Sequence, residues 1–248
     1  MSELGNTDAR AAAPIKLASL AKAGMLTPES GRSSLAEDFR NIKRPLLRQA
    51  FAGGAARRND NLIIVTSALP GEGKTYCAVN LAMSIAMERD VTVLLVDAHV
   101  ARPSVLKVLG LEPAPGLMDI LLGEQASLGD VILKTNVDAL SILPSGRRHK
   151  NATELLASQA MSALLSEIAQ RYPERIIIFD APPLLLASEA NVLAAQMGQV
   201  VMVVEAEKTS QDAVKEALAR VSHCARVELI YNKARPFPGA HGYGSADD

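Results

Sequence analysis

Two glycines, a lysine and a hydroxyl fall within six positions at Pro70-Gly71-Glu72-Gly73-Lys74-Thr75. They directly follow the apolar run Leu62-Ile63-Ile64-Val65-Thr66-Ser67 and Ala68-Leu69. A phosphate chain is held by many N–H donors with little steric bulk around them. Gly71 and Gly73 allow the backbone to turn its N–H groups inward. A helix starting here aims its positive end at the same anion. Lys74 supplies a full charge to β/γ-phosphates, and the Thr75 hydroxyl can ligate Mg²⁺. Tyr76 comes next and is expected to pack near the nucleotide. Two acids complete the set. Val93-Leu94-Leu95-Val96 ends in Asp97, and Ile176-Ile177-Ile178-Phe179 ends in Asp180. An acid at the carboxyl end of such a run can hold Mg²⁺ or orient a nucleophile.

These residues need strands to carry them. Leu62–Thr66, Val91–Val96, Ala139–Leu143, Arg175–Phe179, Val200–Val204 and Val227–Tyr231 read as strands. Several are near-continuous apolar runs, as expected for strands covered on both faces. Helical stripes lie between them: Ala78, Leu81, Ala82 and Ile85; Met161, Leu164, Leu165 and Ile168; Ala213, Val214, Ala217, Leu218 and Val221. The alternation predicts an α/β fold with a doubly wound, mostly parallel sheet of the P-loop NTPase type. After the last run stands Asn232-Lys233-Ala234-Arg235. A guanine reader of the N-K-x-D kind would need an acid where Arg235 stands, so ATP is expected, with Asn232 touching the adenine or capping the strand.

Outside this core, residues 1–32 lack a strong period and are expected to be flexible or weakly helical. Residues 33–60 are expected to hold a helix and a linker. Leu35, Phe39, Ile42 and Leu46 recur at helical spacing, with the helix ending or kinking at Pro45. Residues 61–233 form the nucleotide-binding domain. Residues 234–248, with Pro236, Pro238, Gly239, Gly242 and Gly244, form a disordered tail carrying Tyr243.

Composition narrows the function. The 248 residues carry 26 basic and 27 acidic side chains and a net charge of −1. That balance gives no general drive toward nucleic acid or an anionic membrane. Aromatics make up 3% and Trp is absent, which argues against base-stacking surfaces. Cys77 and Cys224 match no metal or redox spacing and read as small buried apolar residues. No run is long and apolar enough for direct membrane insertion, so any membrane association is expected to run through a partner.

At this point a family likeness emerges. Asp180-Ala181-Pro182-Pro183 resembles the Walker B element of the bacterial tyrosine kinases. Val96-Asp97-Ala98-His99-Val100-Ala101-Arg102-Pro103 resembles their Walker A′ element, and Pro70–Thr75 resembles their Walker A loop. Glu37-Asp38-Phe39-Arg40-Asn41-Ile42-Lys43 is similar to their oligomerisation helix, E-x-x-R-x-x-R. The likeness is greatest to autokinases of exopolysaccharide loci and spans about residues 33–233.

The resemblance implies ATP and Mg²⁺ as cofactors, with Lys74, Asp97 and Asp180 catalytic and Thr75, Asp97 and Asp180 around the metal. It implies a ring-like homo-oligomer through Glu37, Arg40 and Lys43. It implies phosphate transfer to Tyr243 in a neighbour's tail. It also implies a location on the cytoplasmic side of the membrane, beside the cytoplasmic part of a membrane polysaccharide chain-length determinant.

Three features depart from the pattern. His99 replaces the second acid of D-x-D, Ala101 stands where many relatives have Arg, and Tyr243 is the one tyrosine after Asn232. They leave open a catalytically degenerate, ATP-binding regulatory scaffold.

Overall fold

Strand ends, helix starts and their order decide which side chains meet. The computed structural model describes residues 13–52, 59–124, 127–172 and 174–235. The six predicted apolar runs all form strands: β1 (Leu62–Ser67), β2 (Thr92–Asp97), β4 (Leu140–Leu143), β5 (Arg175–Asp180), β6 (Gln199–Glu205) and β7 (Val227–Asn232). A two-residue strand, β3 (Leu133–Lys134), was not foreseen and pairs antiparallel with β4. The order is β3-β4-β2-β5-β1-β6-β7, and every other pairing is parallel. β1 therefore lies between β5 and β6, and its carboxyl end opens beside those of β5 and β2.

Ten helices accompany the sheet among the described residues: α1 (Leu17–Lys22), α2 (Ser34–Ala50), α3 (Lys74–Ala86), α4 (Val105–Leu109), α5 (Leu117–Leu121), α6 (Leu128–Val131), α7 (Ala152–Leu156), α8 (Gln159–Arg171), α9 (Ser188–Ala194) and α10 (Gln211–Arg220). Side chains of one strand alternate between two cores. Leu62 and Ile64 of β1 join the cluster containing Leu156, Leu165 and Leu193. Ile63 and Val65 join the cluster with Leu20, Leu46, Leu81 and Val105. Burial on both faces is why these strands read as unbroken apolar runs.

Two expectations hold only in part: α1 supplies the weak helicity expected within residues 1–32, but the described part of that segment is not loose. Residues 13–32 are packed onto the domain: Ile15, Leu20 and Leu26 are buried in the second core. Polar anchors hold the backbone as well. The Asn136 side chain bonds both the N–H and the carbonyl of Ile15, and the Leu26 N–H donates to Asn80 Oδ1 at 2.7 Å. The partners lie 54 and 121 residues away in sequence, so no local period announces them. The second concerns Pro45, which does not end the helix. Helix α2 starts at Ser33, whose side chain accepts from the Ala36 N–H, and continues through Pro45 to Ala50. Proline removes one helical hydrogen bond. Burial of Phe39 and Leu46 against α3 offsets that loss and carries the helix past it.

Candidate active site

Strand β1 delivers the chain to Ser67, and Ala68 to Gly73 form the loop that enters α3 at Lys74. Gly71 and Gly73 adopt φ of +85° and +96°, a region L side chains rarely enter. A Cβ on Gly73 would run into the amide of Asn232. Both glycines are thus required by geometry, one of them by close approach.

Glu72 is buried and braces this loop from within. Its carboxylate accepts from the Leu69 N–H at 2.6 Å, from the Glu205 N–H at 3.4 Å and from the Thr209 hydroxyl. Asn232 Nδ2 donates to the Glu72 carbonyl at 2.8 Å, and Lys233 Nζ donates to the Gly71 carbonyl at 2.7 Å. The sequence reading expects Asn232 at the adenine or as a strand cap. The structure makes it a brace that ties the end of β7 to the loop. Glu72 is likewise engaged with protein donors and is not turned to a phosphate. The roles of Thr209 and Lys233 were missed, because nothing in the local sequence marks a partner more than a hundred residues away.

Lys74 is buried at the head of α3, and Asp97 and Asp180 are Cα partners in the register of β2 and β5. Both acids are almost wholly inaccessible to solvent, but their surroundings differ. Asp97 accepts three backbone N–H groups: His99 at 3.2 Å, Ser104 at 2.9 Å and Val105 at 2.9 Å. Burial raises its carboxyl above the usual range, opposed by those N–H groups and by Lys74. Asp180 Oδ2 accepts the Thr75 hydroxyl at 2.6 Å, while Oδ1 has no hydrogen-bond partner among the described residues. Burial pushes Asp180 up to about 7; Thr75 works against this and the nearby Asp97 adds to it. Ser104, at the start of α4, lies 3.0 Å from the Thr75 hydroxyl. The sequence analysis did not name it, although a serine just before an apolar helix is a recognisable start signal.

An orphaned buried carboxylate oxygen is unusual. Beside a hydroxyl and a second carboxylate it forms a set of hard oxygen donors, which suits Mg²⁺. No group of three or more His, Cys, Asp or Glu able to hold a metal exists among the described residues. Mg²⁺ takes one or two carboxylates and completes its shell from water and phosphate.

His99 faces the cleft of about 290 Å³ that Lys74, Arg102, Pro182 and Pro183 also line. Burial, then Lys74 and Arg102, push its imidazole down to about 4. It is therefore neutral near pH 7, a weak proton acceptor and a poor substitute for a carboxylate on a hard cation. Tyr76 points elsewhere than expected. Its hydroxyl donates to the Gly24 carbonyl at 2.9 Å, and its ring packs with the core that holds α1 and α2. Residue 76 lies one step past Thr75 on the helix and so faces away from the loop.

On α2, Glu37 and Arg40 are exposed and paired with each other. Lys43 does not share their face. It is buried, with Nζ donating to the Ser84 carbonyl at 2.5 Å and pairing with Glu88 at 2.7 Å. Its position in the sequence pattern is kept, but it ties α2 to α3. Tyr243 lies outside the described residues. Burial pushes the Cys77 thiol up to about 12, which leaves it inert, and Cys224 is half-buried with its thiol on the Ala194 carbonyl. No helix among the described residues is long and apolar enough to cross a membrane.

Comparisons with known proteins agree with this geometry. A family model described as an AAA domain matches residues 61–232. The tyrosine-protein kinase YwqD of Bacillus subtilis (strain 168) is 32% identical over 227 residues, covering 90% of this chain and 91% of that protein. The succinoglycan biosynthesis transport protein ExoP of Rhizobium meliloti (strain 1021) is 33% identical over 194 residues, 77% of this chain but 23% of that protein. The chain likewise spans about a quarter, 26%, of the length of other curated relatives that it matches. Among solved structures, the kinase domain of the Escherichia coli tyrosine kinase ETK superimposes with a TM-score of 0.75 at 25% identity, covering 85% of this chain and 80% of that one.

Proposed function

Because the chain belongs to the family of bacterial tyrosine-protein kinases, with an AAA-type nucleotide-binding domain, we propose that it transfers the γ-phosphoryl group of ATP to tyrosine. Its own acceptor is Tyr243 in the tail of a neighbouring copy. The observation that carries this reading is the pairing of a glycine-rich loop with a buried acid, Asp180, whose Oδ1 has no partner among the described residues. Backbone N–H groups of Gly71 to Thr75 and the Lys74 ammonium would cradle the phosphates. Thr75 and Asp180 would hold Mg²⁺, with Asp97 close by; when bound, the ion would offset charge developing on the phosphate oxygens. Asp97, fixed by three N–H donors and more basic than an exposed carboxylate, would orient the phenol and take its proton. The tyrosine oxygen bonds to the γ-phosphorus as the bond to the bridging oxygen breaks, and ADP leaves.

Copies would associate in a ring through the exposed Glu37–Arg40 face of α2. ExoP is by its name a polysaccharide biosynthesis and transport protein. With the resemblance to exopolysaccharide-locus autokinases, this supports a role in regulating exopolysaccharide synthesis or export. The partner would be the cytoplasmic part of a membrane chain-length determinant, placing the kinase on the cytoplasmic side of the membrane. Incubation with labelled ATP–Mg²⁺, followed by mass-spectrometric mapping, should find phosphotyrosine at Tyr243. Abundant label on Tyr76 with none on Tyr243 would refute the tail as acceptor.

His99 supports a second reading. A neutral imidazole at about 4 replaces a carboxylate in the cleft and can neither hold a hard cation nor act as a strong base. In that reading the chain binds ATP as a regulatory scaffold. Confirmed ATP binding without phosphotyrosine, even with the membrane partner added, would favour it. A gain in transfer from His99→Asp would speak for a weakened kinase.

A further inference from the structure

The loops that follow β2 and β4 enclose three adjoining clefts of about 290, 410 and 560 Å³. The first two share Val100, Ala101 and Glu189, and the second and third share Arg148. Asp97 lines the third and His99 the first, so the trough runs past the acid assigned to the acceptor phenol. Its walls carry Arg102, Arg148, Lys150, Lys107 and Lys16. Among the described residues none of these five is ion-paired, whereas the adjacent Arg147 is fully engaged with Asp119 and Glu124. Opposing acids on the walls are Glu112 and Glu189.

This positive excess is local, since the whole chain has a net charge of −1. The trough starts beside Pro70 and Lys74 and runs toward the β2–β4 side of β1, away from Asn232 at the end of β7. Among the described residues no Phe, Tyr or Trp lines it, so it lacks the large platforms on which single-stranded nucleic acid stacks; its only aromatic rings are the imidazoles of His99 and His149. The sequence offers a matching ligand: Asp247 and Asp248 follow Tyr243 by four and five positions.

We propose that this trough selects acceptor tyrosines flanked by acidic residues, with Arg148 and Lys150 as specificity-determining side chains. The proposal rests on the kinase reading for its chemistry, but the binding preference can be measured without it. The probes are two fluorescent tyrosine peptides of equal length, with glutamates at the flanking positions in one and glutamines in the other. Anisotropy titration of the full chain at low salt should show the glutamate peptide binding about three- to tenfold more tightly, because exposed ion pairs are individually weak. The preference should shrink as salt approaches about 0.1 M and beyond. It should vanish in Arg148→Gln/Lys150→Gln, with ATP affinity unchanged.

Equal affinities for the two peptides would overturn the proposal, as would a preference that survives the double substitution. So would an uncharged-flank peptide being phosphorylated with the same kcat/KM as the acidic one. A single-stranded oligonucleotide that outcompetes the glutamate peptide would assign the trough to nucleic acid instead. An acidic preference in binding with no transfer to either peptide would uphold the trough and sink the kinase reading, so the two fail separately.

Discussion

The ends of β2 and β5 stand side by side and finish in the same residue type, yet they are built differently. Asp97 is held by three backbone N–H groups from the turn into α4, two on Oδ2 and one longer contact on Oδ1. Asp180 has only side-chain hydroxyls near it, and its Oδ1 has no partner among the described residues. A buried carboxylate gripped on both oxygens by fixed donors is a structural anchor as well as a chemical group. One left incomplete awaits a cation or a proton. The fold thus makes the β2 end rigid before anything binds and leaves the β5 end to be completed by what binds.

The largest expected effect removes the group both ends share. Lys74→Met should abolish ATP binding or weaken it more than tenfold, through loss of a charge-assisted contact of roughly 1.5–3 kcal/mol. Unchanged affinity by calorimetry would count decisively against the site.

Substituting each acid in turn should then separate the two ends. Asp97→Asn puts an amide donor against backbone donors and should cost the ligand-free protein about 1–3 kcal/mol. Asp180→Asn keeps an acceptor for Thr75 and removes a poorly solvated charge. It should leave ligand-free stability at pH 8 unchanged or raised, while removing Mg²⁺-dependent turnover. Equal destabilisation by both in chemical denaturation would erase the distinction drawn here.

Proton linkage sharpens the contrast further. Folded Asp180 titrates at about 7, above the ordinary value near ~3.9, so its favourable contribution is complete at low pH and is lost as pH rises through about 7. Folded His99 titrates at about 4, below the ordinary ~6.5, so its contribution is present above that value and is lost as pH falls toward 4. The two slopes oppose one another between roughly pH 4 and 6.5. Melting temperature should therefore climb more steeply with pH in Asp180→Asn than in the parent, and less steeply in His99→Gln. Three parallel curves would show that neither group titrates as its surroundings require.

The smallest stability change is expected on α2, where function and packing separate within one short pattern. Glu37→Ala with Arg40→Ala removes an exposed pair and should alter stability by less than about 0.5 kcal/mol, while light scattering shows loss of the oligomer. An unchanged mass would sink the assembly proposal. Lys43→Met should keep the oligomer and instead loosen the contact between α2 and α3.

Legibility from sequence followed the range of the interaction. Six strands could be read because burial on both faces writes an apolar run into each. The two-residue β3 leaves no run to read. Ile15, Leu20 and Leu26 recur with no helical or strand period, so their burial could not be inferred without Asn80 and Asn136. Lys43 reads like another charge of the α2 surface, and only the fold shows its ammonium on the Ser84 carbonyl. Tyr76 follows a phosphate-type loop but turns toward Gly24 because successive helical residues point about a hundred degrees apart.

By itself, then, the sequence determined the loop, the two acids and the strands that end in them. Gly71, Gly73, Lys74 and Thr75 have their meaning in local backbone geometry, and an acid closing an apolar run has its place set by that run. Only the tertiary structure decided what each acid lacks. The three donors on Asp97 come from the loop after β2 as it folds back into α4. The unpartnered Oδ1 of Asp180 results from β5 being enclosed between β1 and β2, where the hydroxyls of Thr75 and Ser104 approach the carboxylate but, among the described residues, no donor meets Oδ1. Hydrogen-bond satisfaction depends on every neighbour within about 3 Å, and those neighbours are brought together by packing rather than by order along the chain.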